Sequence, residues 1–189
     1  DITVIRLLIT PEVLTITTNE YLNTPLHLAL LNKADIEIIK LLITPEVLTI
    51  VDLDGKTPLH YALWKGYNPD TIKLLITPET LTMVDDEIRT PLHVALLKGC
   101  TPDIIKLLIT QEVLTMNDKC GRTPLHSALL GLFDIEIINL LLTPEALTVI
   151  DWDKRTPLHL ALLKGCTPEI IKLLITPEVL TIVDWNIQT

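Results

Sequence analysis

Short apolar clusters, each broken by a charge or a proline, recur along this chain at one fixed interval. In the copy that begins at Thr156, Ile170, Ile171, Leu173 and Leu174 are apolar and Lys172 is left for solvent, the pattern of a helix with one buried face. This helix is expected from about Pro168 to Ile175. A shorter one precedes it, from about Pro157 to Lys164, and ends near Gly165. A third segment, Pro177 to Leu180, has the length of one helical turn. An extended stretch and an Asp-containing turn then lead from each copy to the next.

Every copy opens on Thr-Pro-Leu-His, at Thr24, Thr57, Thr90, Thr123 and Thr156, always 33 residues after the last. A fixed period of this length is the mark of a repeat array, so a single array over 1–189 is expected, with full repeats 24–56, 57–89, 90–122, 123–155 and 156–188. Residues 1–10 (DITVIRLLIT) match the second half of a repeat (DIEIIKLLIT from Asp35). Residues 1–23 are therefore read as a partial repeat and an irregular connection, one residue longer than the later ones. One repeat cannot bury enough apolar surface to offset the cost of ordering its chain, so neighbours must stack.

The 13 prolines act as punctuation: each stands at the start of an expected helix, mostly behind a threonine, and none falls inside one. Threonine accepts a hydrogen bond from an otherwise unpaired amide, and proline fits the first helical position. Where proline is missing before the second helix, Asp35 and Asp134 are expected to cap instead.

Thr-Pro-Leu-His-x-Ala, a first helix ending at Gly, a second helix reading Ile-Ile-Lys-Leu-Leu and an Asp-rich turn with Gly55 or Gly121 together resemble an ankyrin repeat array. The resemblance covers essentially the whole chain. It implies an all-α helical repeat solenoid with short turn or β-hairpin-like connections. Two departures stand out. Thr-Pro-Glu-Val-Leu-Thr replaces the family's glycine-containing loop after the second helix, and there is one extra residue between the two helices. Leu30, Leu63, Leu96, Leu129 and Leu162 also occupy places where the family often has alanine, and are expected to widen or tilt the helix packing.

Candidate chemistry is thin. All five histidines belong to Thr-Pro-Leu-His. Each is expected to reach back to the capping hydroxyl or a nearby backbone group and to titrate low, since a helix N-terminus disfavours an imidazolium. Equivalent positions about 10 Å apart cannot share an ion, so no metal ligation is expected of them. Asp52-Leu53-Asp54-Gly55 starts like a calcium loop, but Leu63 stands where its bidentate glutamate belongs, and a turn is the better reading. Neither the cysteines, the lone Ser127 nor the six glycines compose a nucleophile or a phosphate loop. No enzymatic activity and no cofactor are expected.

A net charge of −9 argues against nucleic-acid binding, and no apolar run approaches the roughly 20 residues of a membrane span. The chain opens at Asp1 without a visible signal peptide and reads as a segment of something longer. Three cysteines cannot all pair: Cys100 and Cys166 stand two repeats, roughly 20 Å, apart, and Cys120 lies in a different part of its repeat, which favours a reducing, intracellular and cytoplasmic setting.

The remaining candidate is a surface. The resemblance implies a protein or peptide partner gripped by the concave face, made of the turn tips and the exposed side of the first helices. Carried onto this sequence, the tips give Leu53, Asp54, Asp86, Glu87, Lys119, Trp152, Asp153 and Trp185. The residues just before Thr-Pro give Lys56, Arg89, Arg122 and Arg155. The ends of the first helices give Trp64, Lys65, Leu97, Lys98, Leu130, Leu163 and Lys164. These places vary while the frame does not: 95–110 and 161–176 differ only at Asp103 and Glu169. The alternatives are a structural spacer, a segment that self-associates end to end through uncapped terminal repeats, or a regulatory or targeting segment of a larger protein.

Overall fold

The computed structural model describes residues 9–18 and 20–182. Among these, sixteen helices follow one another without a strand. The chain divides into two compact units, Asp1–Leu108 and Ile109–Thr189.

The first unit holds α1 (Pro11–Thr15), α2 (Pro25–Leu31), α3 (Ile36–Leu42), α4 (Pro45–Thr49), α5 (Pro58–Lys65), α6 (Pro69–Leu75), α7 (Pro78–Thr82), α8 (Pro91–Leu97) and α9 (Pro102–Leu108). They form three columns. First helices α2, α5 and α8 stack in order, as do second helices α3, α6 and α9 and the one-turn segments α1, α4 and α7. The second unit repeats the plan with α10 (Gln111–Thr115), α11 (Pro124–Leu130), α12 (Ile135–Leu141), α13 (Pro144–Thr148), α14 (Pro157–Lys164), α15 (Pro168–Leu174) and α16 (Pro177–Leu180).

The third column is what Thr-Pro-Glu-Val-Leu-Thr builds. Val47, Thr80, Val113 and Ala146 occupy its central place and are fully buried. Thr80 brings a hydroxyl into this apolar seam and satisfies it by donating to the Leu75 carbonyl at 3.0 Å. The helix starts follow the Thr-Pro signals closely: Thr44, Thr77, Thr143 and Thr176 each accept from the amide three residues on, and so does Thr110, where Gln111 replaces the proline. Three caps depart from expectation. Asp134 caps α12, but none of Thr10, Asp35 and Thr167 makes a side-chain cap bond. The second helix of the last repeat also stops one residue early, at Leu174, where Ile175 turns to extended backbone.

Leu30, Leu63 and Leu96 in the first unit and Leu129 in the second are buried on their first helices. Leu162, in the same sequence place, is 57% exposed, because no described repeat follows to cover it.

The five histidines sit where the sequence puts them, but their reach is longer. In the first unit the Thr24 amide donates to His27 Nδ1 (3.2 Å), and the Thr24 hydroxyl lies 2.8 Å from the same nitrogen. An Nδ1 that accepts places the proton on Nε2, which donates to the Lys56 carbonyl 3.1 Å away. His60 repeats this with Thr57 and the Arg89 carbonyl (3.0 Å), and His126 does so in the second unit with Thr123 and the Arg155 carbonyl (3.2 Å). Each ring thus ties the start of one first helix to the residue just before the next one. Burial, more than the helix N-terminus, holds these three imidazoles below their ordinary value.

Candidate interaction surface

The turn tips are organised by an aspartate that ends each extended stretch, buried at Asp52, Asp85 and Asp151 and half-buried at Asp118. Asp52 Oδ1 accepts from the amides of Asp54 (3.0 Å) and Lys56 (2.8 Å), and its Oδ2 accepts from the Tyr61 hydroxyl (2.7 Å). Asp85, Asp118 and Asp151 hold the amides two and four residues on in the same way. The backbone closes the loop as a hairpin-like turn without strands: Asp52 N–H donates to the Lys56 carbonyl and Gly55 N–H to the Asp52 carbonyl. The apparent calcium loop at Asp52 is therefore a turn whose carboxylate is already engaged. Among the described residues no cluster of His, Cys, Asp or Glu could hold a metal ion.

The longer connection at 17–23 has the same plan with one more residue. Thr18 stands in for the aspartate: its amide donates to the Asn23 carbonyl, and its hydroxyl accepts from the Asn23 amide.

Consecutive tips are joined through the backbone. In the first unit Leu53 N–H donates to the Tyr21 carbonyl and Asp86 N–H to the Asp54 carbonyl, both at 3.0 Å. In the second, Trp152 N–H donates to the Cys120 carbonyl at 3.0 Å. The tips therefore form short, fixed rows rather than free loops.

On this frame the predicted residues separate into two kinds. Leu53 (58% exposed), Trp152 (72%), Leu97 (59%) and Leu163 (67%) present apolar surface to solvent. Asp54, Asp86, Glu87, Lys98, Lys119, Asp153 and Lys164 are exposed beside them. Lys65 and Leu130 are half-buried, and Trp64 is 46% exposed. The Trp152 ring lies over Gly121, where an added Cβ would stand 3.1 Å from Cδ1. Trp185 lies outside the described residues.

The residues before Thr-Pro behave differently. Arg89 is turned back on Asp85 Oδ2 through Nε (2.9 Å) and NH2 (2.7 Å), and Arg155 makes the same fork to Asp151 and also reaches Asp153. Lys56 pairs with Asp54 at 2.7 Å, and Arg122 is half-buried at the corresponding place. Burial alone would push the Asp85 and Asp151 carboxyls up, but hydrogen bonds and charge from Arg89 and Arg155 outweigh it and hold both below the usual value. These arginines shape the tips from within.

A second feature lies at the opposite ends of the first helices. In the first unit a groove of ≈520 Å³ opens between the α5–α6 connection and the α8–α9 connection. Trp64 and Lys65 line it from one repeat, and Lys98 and Cys100 from the next. Lys98 Nζ sits 3.5 Å from the centroid of the Trp64 ring. Tyr67, which the sequence did not single out, also lines it, with its hydroxyl directed at the carbonyls of Ala29, Leu30 and Ala34. The available signal was an aromatic at a place held elsewhere by Ala34, Cys100, Phe133 and Cys166. The three cysteines are free thiols, and burial pushes those of Cys100 and Cys166 up. Among the described residues no helix is long and apolar enough to cross a membrane.

A comparison with curated proteins finds no match. A family model described as ankyrin repeats (3 copies) matches residues 1–81, 65–149 and 92–184, overlapping stretches that reach across nearly the whole chain. With the 33-residue period, the capped Thr-Pro-Leu-His helix and the Asp-centred turns on the page, the chain belongs to the ankyrin-repeat family.

Proposed function

We propose that this array is a non-enzymatic scaffold that binds a protein or peptide partner through the face carrying the turn tips and the ends of the first helices. Ankyrin repeats generally mediate protein–protein interaction. The observation that supports the reading here is exposed apolar surface on turns and helix ends tied by backbone hydrogen bonds, Leu53 and Leu97 in the first unit and Trp152 and Leu163 in the second. A surface fixed in advance loses little conformational freedom on binding, and tryptophan is a frequent anchor at such interfaces. Arg89 and Arg155 contribute by keeping the tips in shape.

The test is to identify a captured protein, express it and measure its affinity for Trp152→Ala, Leu53→Ala and Leu163→Ala. At least one should weaken binding about tenfold or more with an unchanged melting temperature. Unchanged affinity in all three would remove the face from consideration.

The exposure of Leu162 (57%) and Leu180 (66%), whose counterparts Leu63 and Leu114 are buried, favours end-to-end self-association as a second reading. A molar mass that rises with concentration in light scattering, and falls back in Leu162→Lys, is its expected signature.

A further inference from the structure

We infer that the groove between Trp64 and Lys98 is a docking site for an acidic peptide segment. The chain carries a net charge of −9, yet the charged lining of this groove consists of Lys65 and Lys98 alone, with no carboxylate on its walls. Its floor is apolar, with Leu63, Ile104 and the half-buried Cys100. Lys98 is held over the Trp64 ring at 3.5 Å, which fixes the ammonium in place and leaves its N–H groups to meet a carboxylate. The Tyr67 hydroxyl is spent on backbone carbonyls, so the groove offers positive charge and apolar surface. An apolar side chain flanked by aspartate or glutamate matches that set.

The second unit contains an internal control. The equivalent groove, 66 residues on and lined by Leu132, Phe133, Cys166 and Ile170, has Asp134 and Glu169 as its charged lining. The same repeat geometry is more acidic here, because Gly131 and Asp134 stand where the first groove has Lys65 and Asn68, and an acidic peptide should choose the first groove over the second.

This inference rests on the interaction-module reading above and deepens it by naming the partner's chemistry. The experiment titrates the ¹⁵N-labelled chain with the synthetic peptide acetyl-Asp-Glu-Leu-Leu-Asp-Glu-amide, with its all-lysine and all-serine counterparts as controls. The acidic peptide should shift the amides of Gly66, Gly99 and Cys100 and the Trp64 indole N–H, leave Phe133 and Cys166 unmoved, and bind more weakly as salt rises. The double variant Lys65→Glu/Lys98→Glu should lose affinity about tenfold or more, while Lys65→Arg/Lys98→Arg retains it. Equal binding of the serine peptide, undiminished binding by the charge-reversed variant, or no shift at these residues would overturn the inference. Partitioning of the chain onto phosphatidylserine vesicles without peptide binding would do the same. A silent groove together with a partner lost in Trp152→Ala would leave the tip assignment standing; the converse would leave the groove.

Discussion

A histidine near the start of a helix has two ring nitrogens to satisfy, and here one is used locally and the other at a distance. Nδ1 takes the threonine amide three residues back, a contact set by local geometry and legible in Thr-Pro-Leu-His itself. Nε2 takes a carbonyl 29 residues on, which no short motif announces. Protonating Nδ1 would turn an acceptor toward an N–H donor in a buried site, so the folded His27, His60 and His126 resist charging. The sign of the pH dependence follows. In the unfolded chain these rings titrate near 6.5, above their folded values, so the unfolded state holds more protons once the pH drops below that point. Their contribution is fully present above 6.5 and is lost as the pH falls from there toward the folded values. Each histidine steepens the slope by up to about 1.4 kcal/mol per pH unit. Asp85 and Asp151 act lower, their contribution present above 3.8 and lost as the pH falls through their folded values. Urea denaturation at about pH 7.5 and about pH 5.5 should show the histidine loss; equal stabilities would contradict it.

At the scale of the element, all ten described residues with positive φ fall at two places in the repeat. One is the turn tip, with Leu22, Gly55, Ile88, Gly121 and Lys154. The other is the end of the first helix, with Lys33, Gly66, Gly99, Leu132 and Gly165. Glycine at some of these was legible as punctuation; that leucine, lysine and isoleucine adopt the same conformation was not, because it comes with the local turn hydrogen bonds of each repeat, as Lys33 N–H to the Leu30 carbonyl and Ile88 N–H to the Asp85 carbonyl, and not from the residue type. Ile88 is β-branched and 48% exposed at φ 56°, so it carries strain with little burial in return. Ile88→Gly is expected to stabilise the protein by about 0.5–1 kcal/mol in chemical denaturation. Gly55→Ala should cost more than Gly66→Ala. Both add a Cβ at positive φ, but at Gly55 it would stand 2.8 Å from Asp86 Oδ1 and 3.0 Å from the Asp86 amide, whereas at Gly66 it meets open space. Equal costs would mean that the close approach of successive tips does not matter.

For the whole molecule, burial comes from neighbours. Leu63 is 1% exposed between first helices on either side, while Leu162, in the same motif, is 57% exposed. A synthetic peptide covering 57–89 carries every local signal of a repeat and none of its neighbours. It should show little helix by circular dichroism, since stacking supplies most of the buried surface. Helicity per residue matching that of the full chain would contradict this.

The amino-acid order alone determined the 33-residue period, the three helical segments, their starts at Thr-Pro, the capping role of the histidines and the family. All of these are written in local spacing, where a hydroxyl, a proline or an apolar stripe acts within a few residues. Tertiary structure decided what those residues then meet. It paired Arg89 and Arg155 with Asp85 and Asp151 four residues back. It made a third packed column of Thr-Pro-Glu-Val-Leu-Thr, and it brought Lys98 over Trp64, 34 residues away in the chain. Such contacts depend on how one repeat is placed against the next, and a side chain's identity does not carry that information.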